Sequence, residues 1–173
     1  FTKGHGTQND FVIVADPDGR RDITRAQVAA ICDRRAGIGG DGLIRVVQSE
    51  HEPDASAARF ADPRATWFMD YRNADGSAAE MCGNGVRVFA EYLLREGYLS
   101  ADDVSGGKTV AIATRAGVRR VRRRPNGWWS VEMGEWLVPG GIQAVERGYD
   151  AEVHLAGLDV SHPALSLDLG NPH

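Results

Sequence analysis

Apolar positions along the chain change period several times, and each change marks an element. Phe11-Val12-Ile13-Val14 is a short apolar run bounded by polar residues, so FTKGHGTQNDFVIVAD (1–16) predicts two short strands about a Gly/Asn turn. The spacing then lengthens. DITRAQVAAICDRRAG predicts a helix with Thr24 as N-cap, Gln27 three residues on, Val28, Ile31 and Cys32 in one stripe, and Gly37 as its stop. GGDGLIRVVQS predicts a turn and a strand over Leu43–Val47, whereas His51 to Pro63 reads as a polar, irregular, exposed loop. TWFMDYRNADGSAAEMCGNG predicts a strand, a turn on Asn73-Ala74-Asp75-Gly76 and a short second strand.

The clearest periodicity comes next. Val86, Phe89, Ala90 and Leu93 fall at i, i+3, i+4 and i+7, Arg87, Glu91 and Arg95 form a charged stripe, and Gly97 supplies the stop. Beyond it, KTVAIATRAG and VRRVRRRPNGWWSVEMG read as strands, the second folded into a hairpin at Pro125-Asn126-Gly127. Many short strands with two helices make an α+β arrangement.

Composition sets bounds on this picture. The chain has 173 residues, 42% hydrophobic and 25% charged, enough for one domain with a sizeable core or one domain and part of another. The absence of an apolar run of membrane-spanning length, and of a basic-then-apolar leader, predicts no membrane partner. A net charge of −4 argues against nucleic acid as the main partner. Two cysteines are too few for a disulfide scaffold, so a reduced, cytoplasmic setting is expected. The five histidines show no metal-ligand spacing, and no metal is expected.

Candidate chemistry narrows to a few residues. GIGGDG (37–42) matches a dinucleotide-binding pattern, but a helix precedes it and a strand follows, the reverse of the order phosphate binding needs, so it reads as a helix-exit turn. VRRVRRRP (118–125) reads as the solvated face of a hairpin. Cys32, on the apolar stripe of the first helix, reads as structural. Cys82 differs, because Gly83, Asn84 and Gly85 leave the backbone N–H groups of a helix start unencumbered. The positive end of the helix dipole favours an anion there, so Cys82 is a candidate base or nucleophile. Local pattern alone leaves that reading and a structural one both open. Asn9, Asn73 and Asn84 sit in turn or Gly-rich settings suited to a small polar ligand, and pairing of Cys82 with His5 or His173 also stays open.

Together these segments resemble the diaminopimelate epimerase family. FTKGHGTQNDF is similar to its opening F-x-K-x-H-G-x-x-N-D-F, DRRAGIGGDG to its D-R-x-x-G-x-G-x-D segment, and NADGSAAEMCGNGVRVFA to its signature N-x-D-G-S-x-x-x-x-C-G-N-G-x-R-x-x-A. MGE at 133–135 and GNPH at 170–173 follow in the expected order, with divergent stretches at 48–64 and 136–168. The resemblance implies two similar halves, each wrapping strands around a central helix, with substrate in the cleft between them. Residues 1–134 would be the first half, carrying one catalytic cysteine and a central helix over 84–96. Residues 135–173 would begin an incomplete second half. Val88, Tyr92 and Leu94 fit a central helix covered on most sides.

By motif position, the resemblance implies that Cys82 is one of two catalytic cysteines and that His173 poises the thiols. Asn9, Asn73, Gly83, Asn84 and Asn171 would contact the substrate's amino and carboxylate groups. The implied reaction is inversion of the α-carbon of LL-diaminopimelate to the meso form, in lysine and peptidoglycan precursor synthesis. No cofactor, and in particular no pyridoxal phosphate, is implied, and the intact protein would be a homodimer. The chain departs from the family in three places. Asp41-Gly42 stands where Asp-Gln is common, Val88 stands where a second helix cysteine is common, and the motif with the second catalytic cysteine and its Glu-Arg pair is not found. The isolated 173 residues are therefore expected to be an inactive fragment. Epimerisation of another amino acid, or ligand binding without catalysis, are the alternative expectations.

Overall fold

The computed structural model describes residues 1–168, which form two compact units, one from Phe1 to Glu132 and one from Met133 onward. Asn171 and His173 lie outside the described residues.

In the first unit β1 (Thr2–Gly6) and β2 (Asn9–Ala15) pair antiparallel. Gly6 and Asn9 flank their connection, and Thr7 and Gln8 occupy it with φ of 54° and 67°. Two left-handed residues in a two-residue loop match the twist of a hairpin, but a β-branched threonine there is strained, by about 1–3 kcal/mol. The expected turn thus lies between Gly6 and Asn9, with its left-handed positions at Thr7 and Gln8. Next, α1 (Arg25–Cys32) starts at Thr24 with a full capping box, Thr24 Oγ1 accepting from Gln27 N–H and Gln27 Oε1 accepting from Thr24 N–H at 2.8 Å. The helix ends at Cys32, short of Gly37. The Asp33 carboxylate takes the N–H groups of Arg35 (2.7 Å) and Ala36 (2.6 Å), offering the backbone a turn in place of another helical step.

The remaining strands are β3 (Gly42–Gln48), β4 (Trp67–Asn73), β5 (Thr109–Thr114), β6 (Gly117–Arg123) and β7 (Trp129–Glu132). Between them lie α2 (Ser56–Ala61), α3 (Gly83–Arg95) and α4 (Ala101–Val104). Among the described residues, β1 to β7 form one mixed sheet in chain order, parallel where helices cross from β2 to β3 and from β4 to β5. Helix α3 touches β1 to β4 as well as β6 and β7, so the sheet curls around it. Its stripe of Val86, Phe89, Ala90 and Leu93 is fully buried, Tyr92 is nearly so, and Gly97 closes the end at φ 77°. Both sheet edges are tied to this helix. Trp129 Nε1 donates to Glu91 Oε2 at 2.7 Å, and on the other side a Cβ at Gly6 would lie 2.9 Å from the Asn84 carbonyl oxygen. Val88 packs under β1 against Gly4 and Gly6.

Strand alternation gives the sheet a second, outer core. Leu43 packs with Val28 and Cys32 of α1, and Val47 packs with Phe68, Ala55 and Ala58 at α2. This overturns the expected loop at 51–63. That stretch holds 3₁₀ turns and α2, with Glu52, Ala55, Ala58 and Asp62 buried. Glu52 and Asp62 are inside because arginines meet them there. From β3, Arg45 bonds Asp70 (2.8 Å), Asp16 (3.1 Å) and Glu52, while Arg115 joins Asp70 (2.6 Å) to Asp54 (2.7 Å) and Arg72 adds a bond to Asp70 at 3.2 Å. Asp62 likewise takes Arg64 and, from β6, Arg120.

In the second unit, α5 (Gly141–Arg147) precedes the antiparallel pair β8 (Ala151–His154) and β9 (Ser161–Ala164).

Burial would push the Asp70 carboxyl up, but Arg115, Arg72 and Arg45 outweigh it and hold the group below the ordinary carboxylate range. A depressed carboxyl stabilises the fold fully above its unfolded value near pH 4, and that contribution fades as pH falls through the folded value. Asp70→Asn, which removes the buried anion that three arginines share, is expected to cost about 3–5 kcal/mol at pH 7. Urea melts at a series of pH values should show the gap from the parent closing below about pH 4. A gap independent of pH would contradict this account.

Candidate active site

Cys82 is the N-cap of α3, with extended backbone at φ −140° and ψ 116°. Its carbonyl accepts the first helical bond, from Val86 N–H at 2.8 Å, and its side chain makes no capping bond. The N–H groups of Gly83, Asn84 and Gly85 thus begin the helix with no side-chain cap from Cys82, the arrangement that attracts an anion. Met81, fully buried, anchors the chain just before. Gly85 lies close over Ile44 and Phe11, and Cys82 itself is half-buried.

Strand register brings polar groups to this helix end. Phe11 pairs with Gly42 and Gly42 with Asn73, so the starts of β2 and β3 and the finish of β4 share one end of the sheet. Cys82 Sγ donates to Asn9 Oδ1 at 3.5 Å, and Asn9 Nδ2 donates to Asp41 Oδ2 at 2.8 Å. Asn73 is held at both ends of its amide: Tyr71 Oη donates to Oδ1 at 3.1 Å and Nδ2 donates to Ser77 Oγ at 3.0 Å. Tyr71 connects the two groups electrostatically. Its hydroxyl is pushed up to about 12, first by burial and then by the negative charge that Cys82 and Asp41 would carry.

Not every expected residue joins. Asn84 turns its Oδ1 to the strained β1–β2 turn, accepting from Thr7 Oγ1 at 2.9 Å and from Arg87. His5 lines a groove of about 590 Å³ between β1 and the β6–β7 hairpin, with Arg87, Trp128 and Trp129, and Cys82 is not in that lining. Cys32 lies on α1 beneath Leu43, and burial pushes its thiol up. Among the described residues no cluster of three or more His, Cys, Asp or Glu is placed to hold a metal, and no helix is long and apolar enough to cross a membrane. The arginines of β6 and the following turn are mostly taken by neighbours, Arg120 by Asp62 and Arg124 by Ser130.

The pattern of the chain pointed to Cys82, Asn9 and Asn73 but missed Asp41, Arg34 and Tyr71. A signal for Tyr71 lay in Gly42. A Cβ there would sit 2.6 Å from Tyr71 Cε2 and 2.5 Å from the Arg72 carbonyl oxygen, so the ring fills the space that a glutamine at 42 would need.

A curled mixed sheet around one central helix is an α+β fold shared with a solved structure. The phenazine biosynthesis protein of Bacillus anthracis, PhzF family, superposes with a TM-score of 0.53 at 20% identity, over 98% of this chain and 52% of that one. The model of the diaminopimelate epimerase family matches residues 1–138, and the chain belongs to that family. It is 50% identical to the diaminopimelate epimerase of Streptomyces coelicolor over 173 residues, and 49% identical to that of Thermobifida fusca over 174. Against the Corynebacterium glutamicum enzyme it is 43% identical over 176 residues. These matches take in 99–100% of this chain but 53%, 60% and 56% of the relatives, so the chain spans about half the length of the curated relatives it matches.

The two thiols are expected to react very differently. Iodoacetamide on the native protein should label Cys82 and leave Cys32 untouched until the protein is unfolded, as read by peptide mass spectrometry. Equal labelling of both under native conditions would remove the basis for singling out Cys82.

Proposed function

We propose that this chain carries one of the two acid/base groups of a cofactor-independent epimerase that inverts the α-carbon of LL-diaminopimelate to the meso form. The observation that carries this reading is a half-buried thiol at the N-terminus of the central helix, beside uncapped N–H groups and the amide of Asn9. Inversion at an amino acid's α-carbon removes a weakly acidic proton from one face and returns one to the other. A thiolate base and a thiol acid on opposite faces accomplish this without a cofactor. As the carbon loses its proton, charge builds on the adjacent carboxylate. Helix N–H groups and amide donors aimed at that charge stabilise the transition state more than the ground state. In this reading Cys82 exchanges the proton, His173 poises the thiols, and Gly83, Asn84, Asn9, Asn73 and Asn171 hold the substrate.

The second group must stand on the other face of the substrate. Cys32 is unsuited, since it is shut in the outer core with Val28 and Leu43. The proposal therefore takes the partner thiol from the half of the family's length that these residues do not span. Residues 1–134 then act as one half of the enzyme and 135–173 as the start of the other. Such a unit fits the wide exposure of Ile142, Val160 and Leu167. The working protein is proposed to be a cytoplasmic homodimer in lysine and peptidoglycan precursor synthesis, and the 173 residues alone to be inactive. One observation favours a second reading, an epimerase for another amino acid. Tyr71 and Gly42 shape the site without a glutamine, and a panel of amino-acid substrates distinguishes the two.

Cys82→Ala in the full-length protein is expected to abolish exchange of the substrate α-proton in deuterated water, followed by proton NMR. Exchange at the parent rate would exclude Cys82 as an acid/base group.

A further inference from the structure

The hydrogen bonds beside Cys82 have a fixed direction, because a carboxylate only accepts. Asp41 Oδ2 takes Asn9 Nδ2 at 2.8 Å and the Asp10 backbone N–H at 3.0 Å, and its Oδ1 takes Arg34 Nη2 at 2.7 Å. The amide nitrogen of Asn9 must therefore face Asp41, which turns the oxygen to Cys82. A carbonyl oxygen has no proton to give, so the 3.5 Å contact exists only while the sulfur donates one. Flipping Asn9 would set its oxygen against the Asp41 carboxylate at the same spacing with no proton between them.

Asp41 in turn has little freedom. Arg34 binds Asp10 as well, at 2.7 and 3.2 Å, Lys3 Nζ lies 3.0 Å from Asp10 Oδ2, and the Asp41 backbone N–H donates to the Asp10 carbonyl at 2.8 Å. The Asp10 carboxyl is held well below the usual range, chiefly by Arg34, so Asp10 stays charged through neutral pH. Charge-assisted bonds of this kind are the stronger, more directional ones.

We infer that Asp41 is a positioning residue: gripped by Arg34, it sets the orientation of the Asn9 amide and so presents that carbonyl oxygen to the Cys82 thiol. The inference rests on the reading of Cys82 as a reacting thiol, and it says which neighbour governs that thiol.

The test is a double-mutant cycle in the full-length protein, comparing the parent, Asp41→Ala, Asn9→Ala and the double variant. The readout is the rate of iodoacetamide alkylation at Cys82 at pH 7, with circular dichroism as the check on folding. Freeing the thiol from its acceptor should speed alkylation about 2- to 10-fold, the range a net hydrogen bond of ordinary strength spans, in each single variant. The double variant should be no faster than Asn9→Ala, because Asp41 acts through Asn9. Asp41→Ala adding its full factor on top of Asn9→Ala, as lost charge or loosened structure would, overturns the inference, and so does no change in Asp41→Ala alone. Should Asp41→Ala not fold, Asp41→Asn takes its place in the cycle, keeping the volume while removing the obligatory acceptor. The two readings fail separately. Coupling in the cycle together with full exchange activity in Cys82→Ala would retain the positioning role and discard the catalytic one.

Discussion

The structure depends on burying one helix from nearly every side. Helix α3 has a stripe of Val86, Phe89, Ala90 and Leu93 with no contact to water, and Tyr92 and Val88 widen it beyond what a flat sheet can cover. Covering it takes a curled sheet, with Trp129 at one edge bonded to Glu91 and Gly6 at the other laid against the Asn84 carbonyl. That close approach requires a residue without a side chain, and it brings the strained Thr7-Gln8 turn to the helix's first residues, where Asn84 and Arg87 hold Thr7. Packing and site are thus one arrangement. The central helix must begin somewhere inside the curl, and Cys82 marks that beginning.

A helix wrapped by a sheet leaves the sheet's other face to be covered, and the chain does this with a mixture of apolar and charged contacts. Leu43, Arg45 and Val47 point outward from β3, so two apolar clusters flank a buried arginine. Such a residue is tolerable only when its donors are matched, and Asp16, Glu52 and Asp70 match them. Asp70 then serves Arg72 and Arg115 too, tying β4 to the β5–β6 turn and to the turns before α2. These contacts fix β3 and β4, whose ends carry Gly42 and Asn73 at the site.

Family membership accords with this geometry, and the departures from the family have local physical reasons. Tyr71 takes the room a larger residue at 42 would occupy, and its hydroxyl holds the Asn73 amide. Val88 fills the space under β1 that its glycines open. Around Cys82, charge stands one bond removed from the sulfur. Arg34, Asp10 and Asp41 act on an amide, and the amide touches the thiol.

Much of this was legible in the chain itself, for reasons that are local. The capping box at Thr24 and Gln27, the periodic stripe of α3, the Pro125-Asn126-Gly127 turn and the helix start at Cys82 all depend on residues a few positions apart. The motif order likewise led to Asn9 and Asn73. Reading failed where partners come from far along the chain. Residues 51–63 look like solvent-facing loop because their carboxylates are polar, and it takes Arg45 and Arg120, on strands, to make Glu52 and Asp62 interior. The α1 helix stops before Gly37 because Asp33 prefers its own turn, a competition that periodicity does not register. The sequence by itself determined the central helix, the alternating strands and the thiol at the helix start, since these follow from the period of the apolar residues and from capping. Only the tertiary structure decided which way the Asn9 amide points and what holds it there. That depends on Asp41 and Arg34, which reach the thiol through space and through a hydrogen bond that runs in one direction.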